Sequence, residues 1–244
     1  MDITRTDPQA AMFACRSHHR DSKGYHQQFV SWMPAGAARV LDVGSGPGFM
    51  ALQLAEFATF VVGVDSSPAM IGLARKNQSE SGKANVAWVI ASADALPFRA
   101  GTFDYIASTF ALRFSNLHCS LPEIRRTIGP GGRVAIRDSV TRAPRFGFWS
   151  DYCWRVMLFV PKLLRHYGLR GTWNMLGYQL SPAGVQNARH SQRLRASAFV
   201  EIYERYFPEK EGRYIFSAGK LFWENAPEHR NLHNETTGNV SSNV

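Results

Sequence analysis

Short apolar runs alternate with helix-like segments between residues 39 and 138, and this alternation is the main structural signal in the chain. Five apolar runs are typical of buried parallel strands. They cover residues 40–43, 60–64, 86–91, 103–109 and 133–138. Helical patterns or helix-start signals lie between them, at residues 49–57, 69–78 and 121–128. Strands that alternate with helices predict right-handed βαβ units and a doubly wound parallel sheet.

Two further strand-like runs, residues 199–206 and 214–222, lie about eight residues apart and predict a hairpin. Added to the five runs above, they predict an α/β fold with a seven-stranded, mostly parallel sheet. The turn between the last helix and the fifth strand is indicated by the glycines and proline of residues 129–132.

Domain boundaries follow from the same pattern. We expect a helical leader over residues 1–38, one domain over 39–225, and a polar, disordered tail over 226–244. Residues from about 141 to 195 interrupt the strand–helix rhythm, are helix-like and are rich in aromatic residues. This segment is predicted to be a helical cap inserted into the domain.

A glycine-rich turn follows the first predicted strand and leads directly into a helix. Residues 42–48 read DVGSGPG, a G-x-G-x-G spacing that differs from the G-x-G-x-x-G of dinucleotide sites. Glycines allow a sharp turn and let a ligand lie close to the backbone. Asp65 follows Gly44 by 21 residues, at the end of the second strand, where a carboxylate can accept hydrogen bonds from both ribose hydroxyls of an adenosine. The combination predicts a ligand that contains adenosine.

The loop after the third strand extends this prediction. Asp94 is a candidate acceptor for an adenine amino group, and the backbone N–H of Ala93 or Ala95 is a candidate donor to a ring nitrogen. Taken alone, Asp94 is also typical of a solvated loop or a helix cap.

Five motifs in residues 38–138 carry a family resemblance: LDVGSGPG, VVGVDSSPAMIGLAR, ADALPF, FDYIASTFALR and IGPGGRV. In this order and spacing they resemble the class I S-adenosylmethionine-dependent methyltransferases, most of all the ubiquinone/menaquinone C-methyltransferases. The resemblance implies a Rossmann-like methyltransferase sheet and S-adenosylmethionine as cofactor. Family binding positions fall on Gly44, Pro47, Asp65, Ser92, Ala93 and Thr109. The predicted cofactor site also includes neighbours in the same motifs: Asp42, Ser45, Gly46, Gly48, Ser66, Met70, Asp94 and Ala95.

The acceptor side carries three candidate catalytic residues. Arg113 resembles the family arginine after the fourth strand and is a candidate to stabilise an enolate or phenolate. His118 and His166 are candidate bases, since an enol or phenol acceptor must lose a proton during methylation. A surface arginine and solvated or capping histidines remain the alternatives. No group of His, Cys and Asp has a spacing that suits a metal ion.

Charge is concentrated in the aromatic insertion. The chain has 28 Lys and Arg against 19 Asp and Glu, a formal charge of +9. Residues 141–195 contain nine arginines and lysines, nine aromatic residues and a single acid, Asp151, so their net charge is +8. Three interpretations stay open: a cap over a hydrophobic acceptor that touches an anionic membrane, an RNA-binding surface, or a helical cap with a solvated basic face. The lack of a lysine-rich tail disfavours RNA.

The predicted function is methyl transfer from S-adenosylmethionine to a hydrophobic small molecule. The favoured form is C-methylation of a quinol-like, polyketide or isoprenoid aromatic ring. The alternative is a natural-product O-, N- or C-methyltransferase, and an RNA methyltransferase or a non-catalytic cofactor-binding protein is less favoured. Three widely spaced cysteines and the lack of an 18-residue apolar run indicate a cytoplasmic protein, with peripheral membrane contact as an option.

Overall fold

A parallel sheet forms the centre of the molecule. The computed structural model describes residues 7–8, 10–12, 14–15, 25–139, 148–191, 205–207, 212–217 and 220–225. The five parallel strands are β1 (Arg39–Val43), β2 (Phe60–Asp65), β3 (Val86–Ile90), β4 (Phe103–Thr109) and β5 (Ile128–Ser139). Their order is β3-β2-β1-β4-β5, which confirms the predicted doubly wound α/β fold. The order reverses between β1 and β4, and ligands bind outside the carboxyl ends of strands at such a switch point.

Helices cover both faces of this sheet. Those on the sheet are α1 (Tyr25–Trp32), α2 (Phe49–Leu54), α3 (Pro68–Ser81) and α4 (Leu117–Thr127), and the insertion contributes α5 (Phe148–Leu180) and α6 (Pro182–Ser191). Because neighbouring strand residues point to opposite faces, Val40 packs into the core that contains Phe29 of α1, while Leu41 packs into the core that contains Leu121 of α4. Packing on both faces of β1 therefore fixes the position of the glycine turn that follows this strand.

The start of α4 and the start of β5 differ from the sequence prediction. The helix begins at Leu117 instead of residue 121, because the Asn116 side chain accepts a hydrogen bond from the His118 N–H (3.2 Å) and caps it. The glycine stretch 129–132 lies within β5 and is not a separate turn. The pairing with β4 jumps there from Phe103–Ile128 to Tyr105–Arg133, so the extra residues form an irregularity in the strand.

A hairpin extends the sheet beyond β5. Strands β6 (Gly212–Ser217) and β7 (Lys220–Asn225) pair antiparallel with each other, and β7 pairs antiparallel with β5. The prediction of one strand over 214–222 was therefore wrong, because that run contains both the end of β6, at Ser217, and the start of β7, at Lys220.

The strand predicted over residues 199–206 is wrong at its end. Arg205 and Tyr206 are helical there, and Phe207 is buried in the core beneath α4. Packing of these aromatic residues decides the local conformation in place of the alternating pattern. Residues 199–204 and the predicted tail, 226–244, lie outside the described residues.

The aromatic insertion is helical where it is described and packs on the N-terminal leader. Helix α5 is broken at Gly168, whose backbone (φ 63°, ψ −171°) is not helical. Leu163 and Met175, on either side of this break, pack against Ala11 and other leader residues in a small separate core. The Tyr167 hydroxyl donates to the Ala11 carbonyl oxygen (2.8 Å). Across the described ranges, no helix combines the length and the apolar character needed to cross a membrane.

Candidate functional site

A cavity of about 660 Å³ opens at the carboxyl ends of the parallel strands, at the switch point between β1 and β4. Its walls come from the segments that follow β1, β2, β3 and β4, and from Asp7, Ala10 and Gln186. This volume is in the range of sites that bind small molecules. Of the predicted cofactor residues, those that line it are Gly44, Gly46, Asp65, Ser66, Met70, Ser92, Ala93, Asp94 and Thr109.

The glycine turn lies directly against the chain that follows β4. Gly44 has a φ of 72°, and a Cβ atom placed there would lie 2.1 Å from the Cβ of Ala111. The backbone N–H groups of Gly44 and Ser45 both donate to the carbonyl oxygen of Val64 (2.8 and 2.9 Å). A residue with a side chain at position 44 would therefore push apart the two segments that form the cavity floor.

Asp65 connects the glycine turn to the start of α3. One carboxylate oxygen accepts the Gly46 N–H and the other accepts the Ser67 N–H, each at 2.9 Å. Burial raises the pKa of Asp65 above its ordinary value of 3.8, although the two hydrogen bonds act in the opposite direction. Each oxygen retains a further lone pair and Asp65 lines the cavity, so the carboxylate can still accept hydrogen bonds from hydroxyl groups of a ligand.

The loop after β3 presents one of the two predicted backbone donors to the cavity. Ala95 uses its N–H to bond the Ser92 carbonyl oxygen (3.1 Å) and does not line the cavity, whereas Ala93 does line it. The Asp94 carboxylate accepts the Asn116 N–H through both oxygens (3.1 and 3.2 Å) and thereby holds the start of α4. Asp94 thus has the capping role and also faces the cavity.

A small polar chamber of about 30 Å³ adjoins the cavity. It shares Gly44 and Thr109 with the cavity and is also lined by His26, Asp42, Ser45, Phe49 and Met50. Burial raises the pKa of Asp42 to about 7, and the charge of Asp65 adds to this rise. Among the described residues, Asp42 Oδ2 and Ser45 Oγ are buried without a hydrogen-bond partner. The chamber has room for about one water molecule, which could bridge such atoms.

Two predicted cofactor residues, Pro47 and Gly48, line neither space. The Pro47 carbonyl oxygen accepts the Asn77 amide (2.8 Å). Gly48 (φ 85°) precedes α2 and lies under Trp88, since an added Cβ would be 2.5 Å from that ring. Both residues therefore contribute to the conformation of the turn and not to the walls of the cavity or the chamber.

The three candidate catalytic residues do not come together. Arg113 is buried and its Nη1 lies 3.2 Å from Asp138 Oδ1, while its own N–H donates to Asp138 Oδ2 (3.0 Å). His118 has Nδ1 3.3 Å from the Tyr206 hydroxyl, and His166 is exposed on α5. Within the described part of the chain, none of the three lines the cavity.

An apolar wall next to Arg113 was missed by the sequence prediction. Phe110, Ala111, Leu112 and Phe114 line the cavity along the segment after β4. Phe110 has a φ of 58°, which is unusual for a residue other than glycine. The centroid of its ring lies 5.7 Å from the guanidinium carbon of Arg113 and 5.6 Å from that of Arg137. Phe110 lies within the motif FDYIASTFALR, but the motif does not single it out as a residue of the site, and His26 in the polar chamber lies outside all five motifs.

Comparisons with known proteins agree with this arrangement. The family model described as a methyltransferase domain matches residues 40–132. A demethylmenaquinone methyltransferase of Thermus thermophilus is 32% identical over 65% of this chain and 70% of that protein. The ubiquinone/menaquinone biosynthesis C-methyltransferase UbiE of Geobacter sulfurreducens is 33% identical over 57% of this chain and 56% of that protein. A crystal structure of a SAM-dependent methyltransferase from Aquifex aeolicus has the same fold, with a TM-score of 0.52 and 16% identity over 82% of this chain and 89% of that one.

The close approach at Gly44 can be separated from its backbone conformation. Gly44→Ala should lower the free energy of unfolding by roughly 2–4 kcal/mol, because it adds a steric clash to a left-handed backbone. Gly82→Ala is the matched control, since Gly82 has a φ of 67° but open space around it, and it should cost only about 1–2 kcal/mol. Urea unfolding measures both values. Equal losses would show that the contact with Ala111 does not constrain the turn.

The buried Asp42 carboxyl should make stability depend on pH. Its pKa is higher in the folded chain than in the unfolded chain, so its contribution is full at acidic pH and is lost as the pH rises toward 7. Between pH 5 and pH 8 the wild type should therefore lose about 1–3 kcal/mol relative to Asp42→Asn, which has no proton to release. Urea unfolding without added ligand tests this, and parallel pH profiles for the two proteins would contradict it.

Proposed function

The chain belongs to the S-adenosylmethionine-dependent methyltransferase family, and from this premise we propose that its cavity places the cofactor beside a hydrophobic acceptor that is methylated on carbon. S-adenosylmethionine is the cofactor of the family, and when bound it supplies an electrophilic methyl group carried on a sulfonium. The observation that carries the proposal is that one cavity contains both the Asp65 carboxylate and the apolar wall after β4.

The residues of the cavity fit the cofactor. Gly44 and Gly46 leave space next to the backbone, and Asp65 offers two carboxylate oxygens to the ribose hydroxyls. The Ala93 N–H and the Asp94 carboxylate are the proposed partners of the adenine ring. Asp42 and Ser45 place buried polar atoms in the adjoining chamber, where a water molecule or a polar group of the cofactor would satisfy them.

The wall after β4 is proposed to position the acceptor and to exclude water. Methyl transfer depends chiefly on an in-line approach of the acceptor atom, so a rigid wall contributes directly to the rate. The ion pair between Arg113 and Asp138 holds this wall in place, because it joins the segment after β4 to the end of β5. We therefore assign Arg113 a positioning role in place of direct contact with an enolate.

The names of two relatives support the proposed acceptor class. Both are named for methylation in the biosynthesis of menaquinone or ubiquinone, and the chain is more than 30% identical to each. Phe110, Leu112 and Phe114 would suit a flat, apolar ring. The proposed reaction is methylation of a quinol-like ring, in which a ring carbon gains the methyl group and loses its proton.

The contribution of Asp65 to cofactor binding, through the ribose and through the glycine turn together, can be measured. Asp65→Ala should weaken the binding of S-adenosylhomocysteine by about 100-fold or more, since two hydrogen bonds to a charged group are lost. Asp104→Ala is the matched control, because Asp104 also accepts two backbone N–H groups, from Ala38 and Arg39, at a place away from the cavity. The affinity of Asp104→Ala for S-adenosylhomocysteine should stay within about twofold of the wild-type affinity. Titration calorimetry measures both, and equal affinities for wild type and Asp65→Ala would contradict the assignment.

The acceptor class can be tested with methyl-labelled S-adenosylmethionine. In detergent micelles, the protein should transfer the label to a ring carbon of a prenylated naphthoquinol, and not to its oxidised quinone, because only the quinol ring is rich enough in electrons. Mass spectrometry and NMR of the product identify the methylated atom. Label on oxygen or nitrogen, or transfer only to water-soluble catechols and amines, would overturn the quinol proposal and favour a natural-product methyltransferase.

A further inference from the structure

Helix α5 has an exposed apolar face opposite its packed face. Trp154, Met157, Leu158 and Leu164 recur at the spacing of one helical face and are exposed, and Trp154 is 67% exposed. On the other side of the same helix, Leu163 is fully buried against the N-terminal leader. Packing on the leader requires only one apolar face of α5, yet the helix has two.

The exposed face continues beyond the break at Gly168. Leu169 and Trp173 are 82% and 78% exposed, and Leu180 is also exposed. We call these residues together the apolar stripe: Trp154, Met157, Leu158, Leu164, Leu169, Trp173 and Leu180. Single exposed apolar residues are ordinary, but a series of seven large ones along two consecutive helical segments is typical of an interaction surface.

Basic side chains accompany the apolar stripe. Arg165 and Arg170 are exposed and lie within the same stretch of α5. Residues 148–191 contain four arginines and one lysine, and their only acid is Asp151. The surface therefore combines tryptophan, leucine and methionine side chains with a positive charge.

We propose that the apolar stripe docks on an anionic lipid surface. Tryptophan and leucine enter the boundary between headgroups and acyl chains, and arginine binds lipid phosphates, which is the composition found here. A second copy of this chain fits less well, because a symmetric contact would bring Arg165 and Arg170 of both copies together. RNA also fits less well, because leucine and methionine give neither base stacking nor phosphate contacts.

Docking would bring the cavity close to the lipid. Gln186 of α6 lines the cavity, and so do Asp7 and Ala10 of the leader against which α5 packs. The elements next to α5 in the chain and in its packing thus form part of the cavity wall, while α5 itself carries the apolar stripe. Delivery of a membrane-dissolved acceptor rests on the proposed function, whereas binding to lipid does not.

Co-sedimentation with vesicles tests the proposal without an acceptor. The wild type should bind vesicles of phosphatidylglycerol and phosphatidylcholine, and bind phosphatidylcholine alone at least tenfold more weakly. Trp154→Ser with Trp173→Ser should reduce binding to the anionic vesicles by about tenfold or more. Arg165→Glu with Arg170→Glu should have a similar effect, which high salt should reproduce in the wild type.

Matched controls carry the same changes away from the apolar stripe. Phe57→Ser removes an exposed aromatic residue, and Arg75→Glu with Arg99→Glu reverses two exposed charges. Both should bind vesicles as the wild type does. Every variant should retain its affinity for S-adenosylhomocysteine, which shows that it is folded and keeps this test separate from that of the proposed function.

Several results would overturn the proposal. These are a wild type that does not bind the anionic vesicles, and stripe variants that bind them as well as the controls do. Sedimentation velocity adds a third, a dimer that depends on Trp154 and Trp173 and does not bind lipid. Salt-sensitive RNA binding without lipid binding would likewise contradict the proposal, because it would identify RNA as the partner in place of a membrane.

Discussion

The carboxylate of Asp65 is the constraint on which the site depends. It accepts one N–H from the glycine turn and one from the start of α3, so a single side chain sets the relative position of two elements. Gly44 completes the arrangement, because only a residue without a side chain can lie against Ala111. The turn after β1 and the segment after β4 therefore meet at the switch point of the sheet, and both line the cavity.

The sequence predicted the parts of the fold that depend on local pattern. Buried parallel strands produce apolar runs, and the glycine turn with Asp65 at a fixed offset produces a motif, so the five parallel strands and the family could be recognised. The hairpin was harder to predict, because strands β6 and β7 form one continuous strand-like run in the sequence. Arg205 and Tyr206 were misassigned because packing of Phe207 outweighs the alternation of apolar residues.

The acceptor side was harder to predict because it depends on contacts between distant segments. Arg113 matches a family position, yet its geometry is set by Asp138, 25 residues away, which holds it in an ion pair behind the wall. The Phe110 ring contacts the guanidinium groups of two arginines, and His26 reaches the polar chamber from α1. The charge of the insertion was visible in the sequence, but the side chains exposed beside it are known only from the packing of α5 on the leader.

The most direct test of the central claim is a crystal structure of the protein with S-adenosylhomocysteine. The ribose hydroxyls should lie within hydrogen-bond distance of the Asp65 carboxylate, and the sulfur should face the wall formed by Phe110 and Phe114. Room for a flat, apolar acceptor should remain between the sulfur and that wall. A cofactor bound elsewhere, or one whose ribose does not contact Asp65, would contradict the account.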